Sequence, residues 1–468
     1  MVGATRVLFV CEKYYLRFYN AIAERLSAAG FAPLWVSVDG PGEWKHDWID
    51  GSSLIDTVAR NVDSTAAAAF EHVCVFERAV FDRPDVFRNS YPYTANVVRS
   101  YERAPQVAMA WHQATLALLR RFTPAAVFVW NGRYLPYSAI ATACAAAQQL
   151  LLTSEIGWVP GTIFLDKGEL SANTTDLEGH DWRSVVVDNG RAQAFLRDYT
   201  SSKATMVSQQ LHQPEEVRRR LLGPRGRLLI VYGCQVDWDT NVVIGARRFR
   251  SNEAAVSFLM ASTASIAGAR IVVKTHPLDA DKREATLQSL LGDRGVVVSD
   301  IHPHTLIEAA DCVAVRNSTL GFEALAYRKP VLVLEKAKYN EAGLTFGADA
   351  MEEWSSAVAR IASGDCQLPD PALLDRFVLH LLDRYLVPVG YEYFFDPARL
   401  GLLTHFARND SYEMLKKVLT SSTPARASDV DSHVGHVIDA FPVRRSQQPS
   451  LIRRQMQHLS AWISRRRR

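Results

Sequence analysis

Short apolar runs alternate along this chain with longer stretches whose apolar positions recur at helical spacing. The first run, Val7 to Cys11, stops at the polar pair Glu12-Lys13. It predicts a buried strand over 6–11, followed by a helix over 15–29 that ends at Gly30 and a second strand over 33–38. Strand, helix and strand within about 30 residues make one βαβ unit and so a parallel sheet. The pattern predicts a helix over 105–121, a strand over 127–130 closed by the Asn131-Gly132 turn, a helix over 136–149 and a strand over 150–154. Residues 176–225 are polar and mostly helical in pattern. A second alternation then runs through strands at 228–232, 270–274, 296–298, 312–315 and 331–334, with helices over 252–267, 282–291, 303–310 and 319–327 between them. The expected fold class is α/β: two Rossmann-like lobes facing a cleft, with a C-terminal helical extension.

The expected boundaries are a first Rossmann-like lobe over 1–215, a second over 216–375, a helical brace over 376–418 and a flexible basic tail over 419–468. Tyr391, Tyr393, Phe394 and Phe395 make the brace aromatic. Residues 420–450, rich in Ser, Pro and Asp, read as a linker or disordered arm.

Composition narrows the class. The 468 residues are 48% hydrophobic and 22% charged, which is globular and not disordered. A net charge of +3 gives no reason to expect nucleic acid as a partner. Basic residues do collect at the end, in Arg444-Arg445, Arg453-Arg454 and Arg465 to Arg468. Such a tail is either simply solvated or drawn to an anionic inner-membrane surface. The six cysteines form no C-x-x-C pair and mostly sit in apolar runs, as buried thiols of a reducing compartment do. The N-terminus lacks the shape of a signal peptide, and no apolar stretch reaches the length of a membrane span. The expected location is the cytoplasm, peripheral to the inner membrane if the tail binds lipid.

Candidate chemistry gathers where strands end. At Val315-Arg316-Asn317-Ser318-Thr319-Leu320-Gly321, a strand passes into a helix through small polar residues. They either cap the helix or, with its free N–H groups, bind phosphate. Gly321 would permit close approach. At Lys274-Thr275-His276-Pro277, a strand ends on a cation and a histidine, which either serve structure or bind or protonate a departing phosphate. Asp237 and Asp239 follow the strand over 228–232, in a solvated loop or as nucleophile or base. Glu155 lies at a first-lobe strand end. With either aspartate it would form the carboxylate pair that glycosyl transfer uses. No G-x-G-x-x-G or G-x-x-x-x-G-K-[ST] is present. His302 and His304 flank Pro303 like a helix entry, and no metal site is expected.

These segments, in this order, resemble the bacterial capsule-polysaccharide biosynthesis and export family that includes the β-Kdo transferases. The resemblance spans roughly 125–345. It rests on Trp130-Asn131-Gly132; Glu155-x-Gly157 with Pro160, Gly168 and Asn173; Gln235-Val236-x-x-Asp239; His276-Pro277; Asn317-Ser318-Thr319-x-Gly321-x-Glu323-Ala324-Leu325; and Lys329-Pro330-Val331 with Tyr339. It implies a GT-B-like transferase that takes a sugar, Kdo or a relative, from a CMP-linked donor to a glycan or glycolipid acceptor. Asp239 is implied as nucleophile or base, Glu155 as its acid/base partner, and Asp237 stays open beside it. The implied donor-side residues are Lys274, His276, Pro277, Asn317, Ser318, Thr319, Gln235 and Glu323. Those on the acceptor side are Asn131, Gly157, Trp158 and Asn173. Gly157-Trp158-Val159-Pro160 lacks the arginine the family often carries there, so the sugar carboxylate loses a bidentate partner. A single-phosphate leaving group suits a metal-independent enzyme with no cofactor beyond the nucleotide sugar. A UDP- or GDP-sugar GT-B enzyme or epimerase, with Arg316 as a further phosphate cation, and a non-catalytic export factor are the alternatives.

Overall fold

The computed structural model describes residues 4–40, 44–60, 62–82, 103–168, 179–203, 205, 209–279, 283–347, 351–390, 397–423 and 432–445. Two sheets organise it. The first contains β1 (Arg6–Cys11), β2 (Ala32–Ser37), β3 (Trp48–Asp50), β4 (Val127–Trp130), β5 (Leu151–Ile156), β6 (Thr162–Lys167) and, from far along the chain, β13 (Leu386–Pro388). Their order is β3-β2-β1-β4-β5-β6-β13. β1 to β5 are parallel; β6 runs antiparallel to β5, and β13 antiparallel to β6. The second sheet holds β7 (Leu228–Gly233), β8 (Ala269–Lys274), β9 (Gly295–Val298), β10 (Cys312–Val315), β11 (Val331–Val333) and β12 (Phe346–Gly347). It is parallel throughout, in the order β12-β11-β10-β7-β8-β9.

The apolar runs become central strands because parallel strands are covered on both faces. Every residue of β4, β7 and β10 is buried. On the first sheet Phe9 lies in register with Trp35 and Phe128 and stacks on both, with ring centroids 4.7 and 4.4 Å apart. One aromatic row thus ties β2, β1 and β4 together.

The strand order places a crevice in each sheet. From β1 the chain builds outward to β2 and β3, then returns to add β4 and β5 on the other side. From β7 it builds to β8 and β9, then returns for β10, β11 and β12. Helix connections diverge at these switch points, so the carboxyl ends of β1 and β4, and of β7 and β10, flank open ground.

Elements absent from the sequence reading have local causes. β6 is the return arm of a short hairpin from β5, too brief to stand out beside it. β3 and β12 hold three and two residues. The helix starting at Asn252 ends at Ser262, short of the expected 267. The segment read as an arm contains the helix Ser432–Ala440, which packs on the helix Ala104–Phe122. Arg121 Nη1 holds it by donating to the carbonyls of Ile438 (2.5 Å) and Phe441 (2.8 Å). Tyr391, Tyr393, Phe394, Phe395, Arg453-Arg454 and Arg465 to Arg468 lie outside the described residues, but Arg444, expected in a flexible tail, pairs its backbone with Trp48 of β3 (2.8 and 2.9 Å).

The helices Asn189–Ser202 and Pro214–Leu222 pack mainly on second-lobe elements and on Pro371–His380. The lobes meet through Trp158, whose ring stacks on Phe322 (4.9 Å) and leans on Tyr339 (5.3 Å), and through Lys338, whose Nζ lies 2.9 Å from the fully buried Asp166. A π-helical turn, Leu381–Tyr385, then leads into β13 and brings the Tyr385 hydroxyl to Asp166 (3.3 Å).

Candidate active site between the lobes

The carboxyl ends of β4 and β5 supply the first-lobe half of the site. Asn131 follows β4 with φ +58°, a left-handed turn that asparagine tolerates. Its amide donates to Ser154 O (2.8 Å), tying the turn to β5. Its side-chain Nδ2 donates to Glu155 Oε2 (2.7 Å) and to Thr240 Oγ1 (3.0 Å). One asparagine thus joins the first-lobe carboxyl to the residue after Asp239. Burial raises the Glu155 pKa to about 7; the Asn131 bond pulls it down, and the nearby Asp239 charge pushes it up.

The second half comes from the switch point between β7 and β10. Asp239 caps the helix Thr240–Val243 by accepting from Asn241 N (2.8 Å). Burial raises its pKa, and the bond from Asn241 opposes that. Gln235 N–H and side chain lock this loop to its neighbours. Its Nε2 donates to Asn317 Oδ1 (2.8 Å), and Asn317 N donates back to its Oε1 (3.3 Å). Asn317 Nδ2 donates in turn to Asn241 O (3.4 Å). Glu155, Asp239, His276, Asn317 and Ser318 all keep part of their surface in water, and Thr319 is exposed.

His276 and Ser318 follow the ends of β8 and β10, the strands on either side of β7, which lie about 10 Å apart at the usual strand spacing. His276 Nδ1 accepts from Leu278 N (3.1 Å), which leaves Nε2 as the protonated, donating nitrogen. Burial, and then Lys274, lower its pKa to about 4. At neutral pH this histidine donates a hydrogen bond; it has no extra proton to give. The Ser318 hydroxyl makes no hydrogen bond and does not cap the helix Thr319–Ala326. Gly321 N already donates to Ser318 O (3.0 Å), so what this helix start offers an anion is the Ser318 hydroxyl and the amides ahead of Gly321.

Several expected residues serve other ends. Asp237 is buried and paired with Arg283 and, at 3.6 Å, with Arg316. Its side chain is 3% exposed and committed to these two cations. Arg316 is fully buried and donates to Gln235 O (3.2 Å), Asn252 Oδ1 (3.1 Å) and Phe249 O (3.3 Å), so it is no rim cation for a second phosphate. Lys274 Nζ is held by the carbonyls of Ser299 (2.8 Å) and Thr275 (3.2 Å), below the rim. Gln235 spends its amide on Asn317 and acts as its support. Gly157 closes the β5–β6 turn, where a Cβ would lie 2.2 Å from Thr162 Oγ1. Trp158 fills the lobe interface. Gly321 makes room for the Tyr339 ring, since a Cβ there would sit 2.4 Å from Tyr339 Oη; that hydroxyl donates to Ser318 O. Pro277 is exposed. Glu323 lies one turn behind Thr319. Its Oε2 lacks a hydrogen bond, His304 Nε2 is 3.8 Å away, and burial raises its pKa to about 7. Asn173 lies outside the described residues.

Sequence reasoning missed Thr240, Arg133 and the Asp166–Lys338 pair. Arg133 directly follows the Asn131-Gly132 turn, and its charge lowers the pKa of both Glu155 and Asp239. Its place just past a strand end was the available signal. Asp166 and Lys338 are 172 residues apart, and no local pattern links them. Among the described residues no group of three or more His, Cys, Asp or Glu is placed to hold a metal, and no helix is long and apolar enough to cross a membrane.

This is a two-lobed α/β protein with a polar seam at the switch points of both sheets. Residues 188–368 match the family model described as capsule polysaccharide biosynthesis protein, and the motif resemblance is to that same family. A stretch of 128 residues is 29% identical to the capsule polysaccharide export protein KpsS of Escherichia coli, covering 26% of this chain and 31% of that relative. The match therefore spans less than a third of the curated relative's length. Among solved structures, the KpsC β-Kdo 2,4 transferase of Thermosulfurimonas dismutans aligns with 55% of this chain and 78% of its own, at 17% identity and TM-score 0.37. The UDP-GlcNAc 2-epimerase of Neisseria meningitidis, bound to UDP-GlcNAc, aligns with 89% of this chain and 100% of its own, at 11% identity and TM-score 0.33.

Proposed function

We propose that this protein is a glycosyltransferase of capsule or surface polysaccharide synthesis, taking a sugar of the Kdo type from a CMP-linked donor to a glycan or glycolipid acceptor. The observation that carries this reading is that Asn131 bonds both Glu155 and Thr240, the residue after Asp239, so that carboxyls of opposite lobes lie near one another beside a helix start with an unspent hydroxyl. The family match over 188–368 supports the setting.

The donor phosphate is bound by the amides at Thr319–Ala326, the Ser318 and Thr319 hydroxyls and the Nε2–H of His276. Glu323, one turn along, accepts from donor hydroxyls. Asp239, in its ionised form, attacks or stabilises the anomeric centre. Glu155, with a pKa near neutrality, takes the proton of the acceptor hydroxyl. A nucleoside monophosphate leaves as a stable anion, so no metal is called for and no acid is needed on the donor side. The protein works at the cytoplasmic face of the inner membrane, where such acceptors are extended.

The test is nucleotide release from CMP-, UDP- and GDP-sugars, with and without added Mg²⁺ and chelator. CMP release without metal, lost in Asp239→Asn, is the expected result. Release from a diphosphate donor alone, or release that depends on Mg²⁺, overturns the donor assignment. No release with any donor overturns the transferase reading.

A further inference from the structure

The connection that leaves β7 carries more than Asp239. After the helix Thr240–Val243 it forms a loop, residues 244–251, with Arg247, Arg248 and Arg250 all exposed. Two buried charges hold this loop from beneath. Glu335, 6% exposed at the end of β11, accepts from three successive amides: Arg247 (3.1 Å), Arg248 (2.8 Å) and Phe249 (2.8 Å). Arg316 donates to Phe249 O (3.3 Å). Phe249 turns inward onto Phe258, ring centroids 5.1 Å apart. Val243, just upstream, and Ile244, the first residue of the loop, pack on the first-lobe core, so the loop borders the interlobe seam. Lys336, next to Glu335, is exposed as well. The nearby carboxylate Glu253 is engaged with Arg283 at 2.9 Å.

The geometry points to this loop as a docking surface for an anionic glycan, the part of the acceptor chain beyond the sugar being extended. The inference rests on the transferase reading and adds the charge class of the acceptor and the residues that hold it. A guanidinium offers paired donors that match a carboxylate or phosphate. Spaced along a backbone fixed by Glu335, these side chains suit spaced anionic groups on a semi-rigid polymer. A membrane surface is the poorer fit. The loop directs its one aromatic ring inward and so offers nothing to insert into a bilayer. It directly follows the helix that Asp239 caps, which keeps it close to the candidate reaction centre.

The experiment uses the full chain, with polygalacturonate as a carboxylated glycan, dextran as a neutral one, and phosphatidylcholine vesicles with and without phosphatidylglycerol. The wild type binds polygalacturonate and not dextran, and binding weakens as salt is raised. Replacing all three residues (Arg247→Gln, Arg248→Gln, Arg250→Gln) lowers polygalacturonate affinity about tenfold. Replacing Arg219 and Arg220, exposed on another helix, by Gln leaves it unchanged. Thermal melting verifies that each variant is folded. Equal loss in both sets would mean that net charge alone acts, and would overturn the proposal. So would an unchanged triple variant, no glycan binding by the wild type, or binding confined to the anionic vesicles. Binding needs no turnover, so a protein that holds the glycan yet cleaves no donor refutes the transferase reading and spares the surface.

Discussion

Three side chains at the seam carry separable roles. Glu155 supplies the clearest pH signature. As a base with a pKa raised by burial to about 7, it works only when ionised, so kcat/KM should rise with pH through that value. Glu155→Gln should lower the rate about a hundredfold and abolish this rise, measured by nucleotide release across pH with acceptor present. Asp239→Asn preserves the helix cap, because asparagine caps as well as aspartate, while removing the charge. It should cost about a hundredfold or more in kcat without loss of melting temperature. A melting temperature that falls along with activity would show that the cap was the reason. His276→Ala removes one neutral donor to a charged phosphate. Donor KM should increase about tenfold or more with kcat little changed, and the loss should not depend on pH near neutrality, since the imidazole is already uncharged there.

The elements show why certain residues recur together in the sequence. Asn317-Ser318-Thr319-x-Gly321 with Tyr339 is one packing unit: Gly321 leaves the space that the tyrosine ring fills, and the Tyr339 hydroxyl fixes Ser318 O at the helix start. Gly321→Ala should force that ring aside and cost about 1–3 kcal/mol, read by denaturant unfolding. Donor affinity should fall with it, because the displaced ring no longer holds the anion-binding turn. A variant of native stability and affinity would refute the coupling. Gln235-Val236-x-x-Asp239 is a second unit. Its glutamine was expected on the donor side, yet it spends its amide aligning Asn317. Motif residues at strand ends were legible because a strand–loop–helix change leaves a mark in the apolar pattern. Which of them face the ligand was not legible, because Asp237, Lys274 and Arg316 look like rim charges until their buried partners are seen.

At the scale of the molecule, the lobes are clasped by Asp166 and Lys338. Asp166→Asn leaves a largely enclosed ammonium without its counter-charge and should destabilise the fold by about 3 kcal/mol. Replacing both, Asp166→Leu with Lys338→Met, should recover most of that loss, as unfolding of the single and double variants would measure. Buried carboxyls also set a pH dependence. Burial raises Glu12 to about 8, and Glu77 and Glu323 to about 7, each from 4.5. The folded chain thus holds these protons more tightly than the unfolded one. Their stabilising effect is complete at acid pH and is lost as pH rises from about 4.5 through about 8. Glu77 is wholly buried, and its Oε1 accepts Leu135 N–H (2.7 Å), a bond glutamine can keep. Glu77→Gln should therefore flatten the fall in melting temperature on the alkaline side, worth up to about 3 kcal/mol at pH 8. An unaltered slope would place the proton elsewhere.

By itself the chain's pattern determined the two runs of alternating strands and helices, and with them which residues stand at strand ends: Asn131, Glu155, His276 and Ser318. Those features depend on neighbours a few positions away, where burial on both faces of a strand writes an uninterrupted apolar run. Only the tertiary structure decided which strand ends meet. It joined Glu155 through Asn131 to Thr240 beside Asp239, paired Asp166 with Lys338 across 172 residues, folded Ser432–Ala440 back onto the first lobe and buried Arg316. Contacts of that range are set by how the sheets twist and pack, and two residues joined that way carry no shared periodicity for a sequence to display.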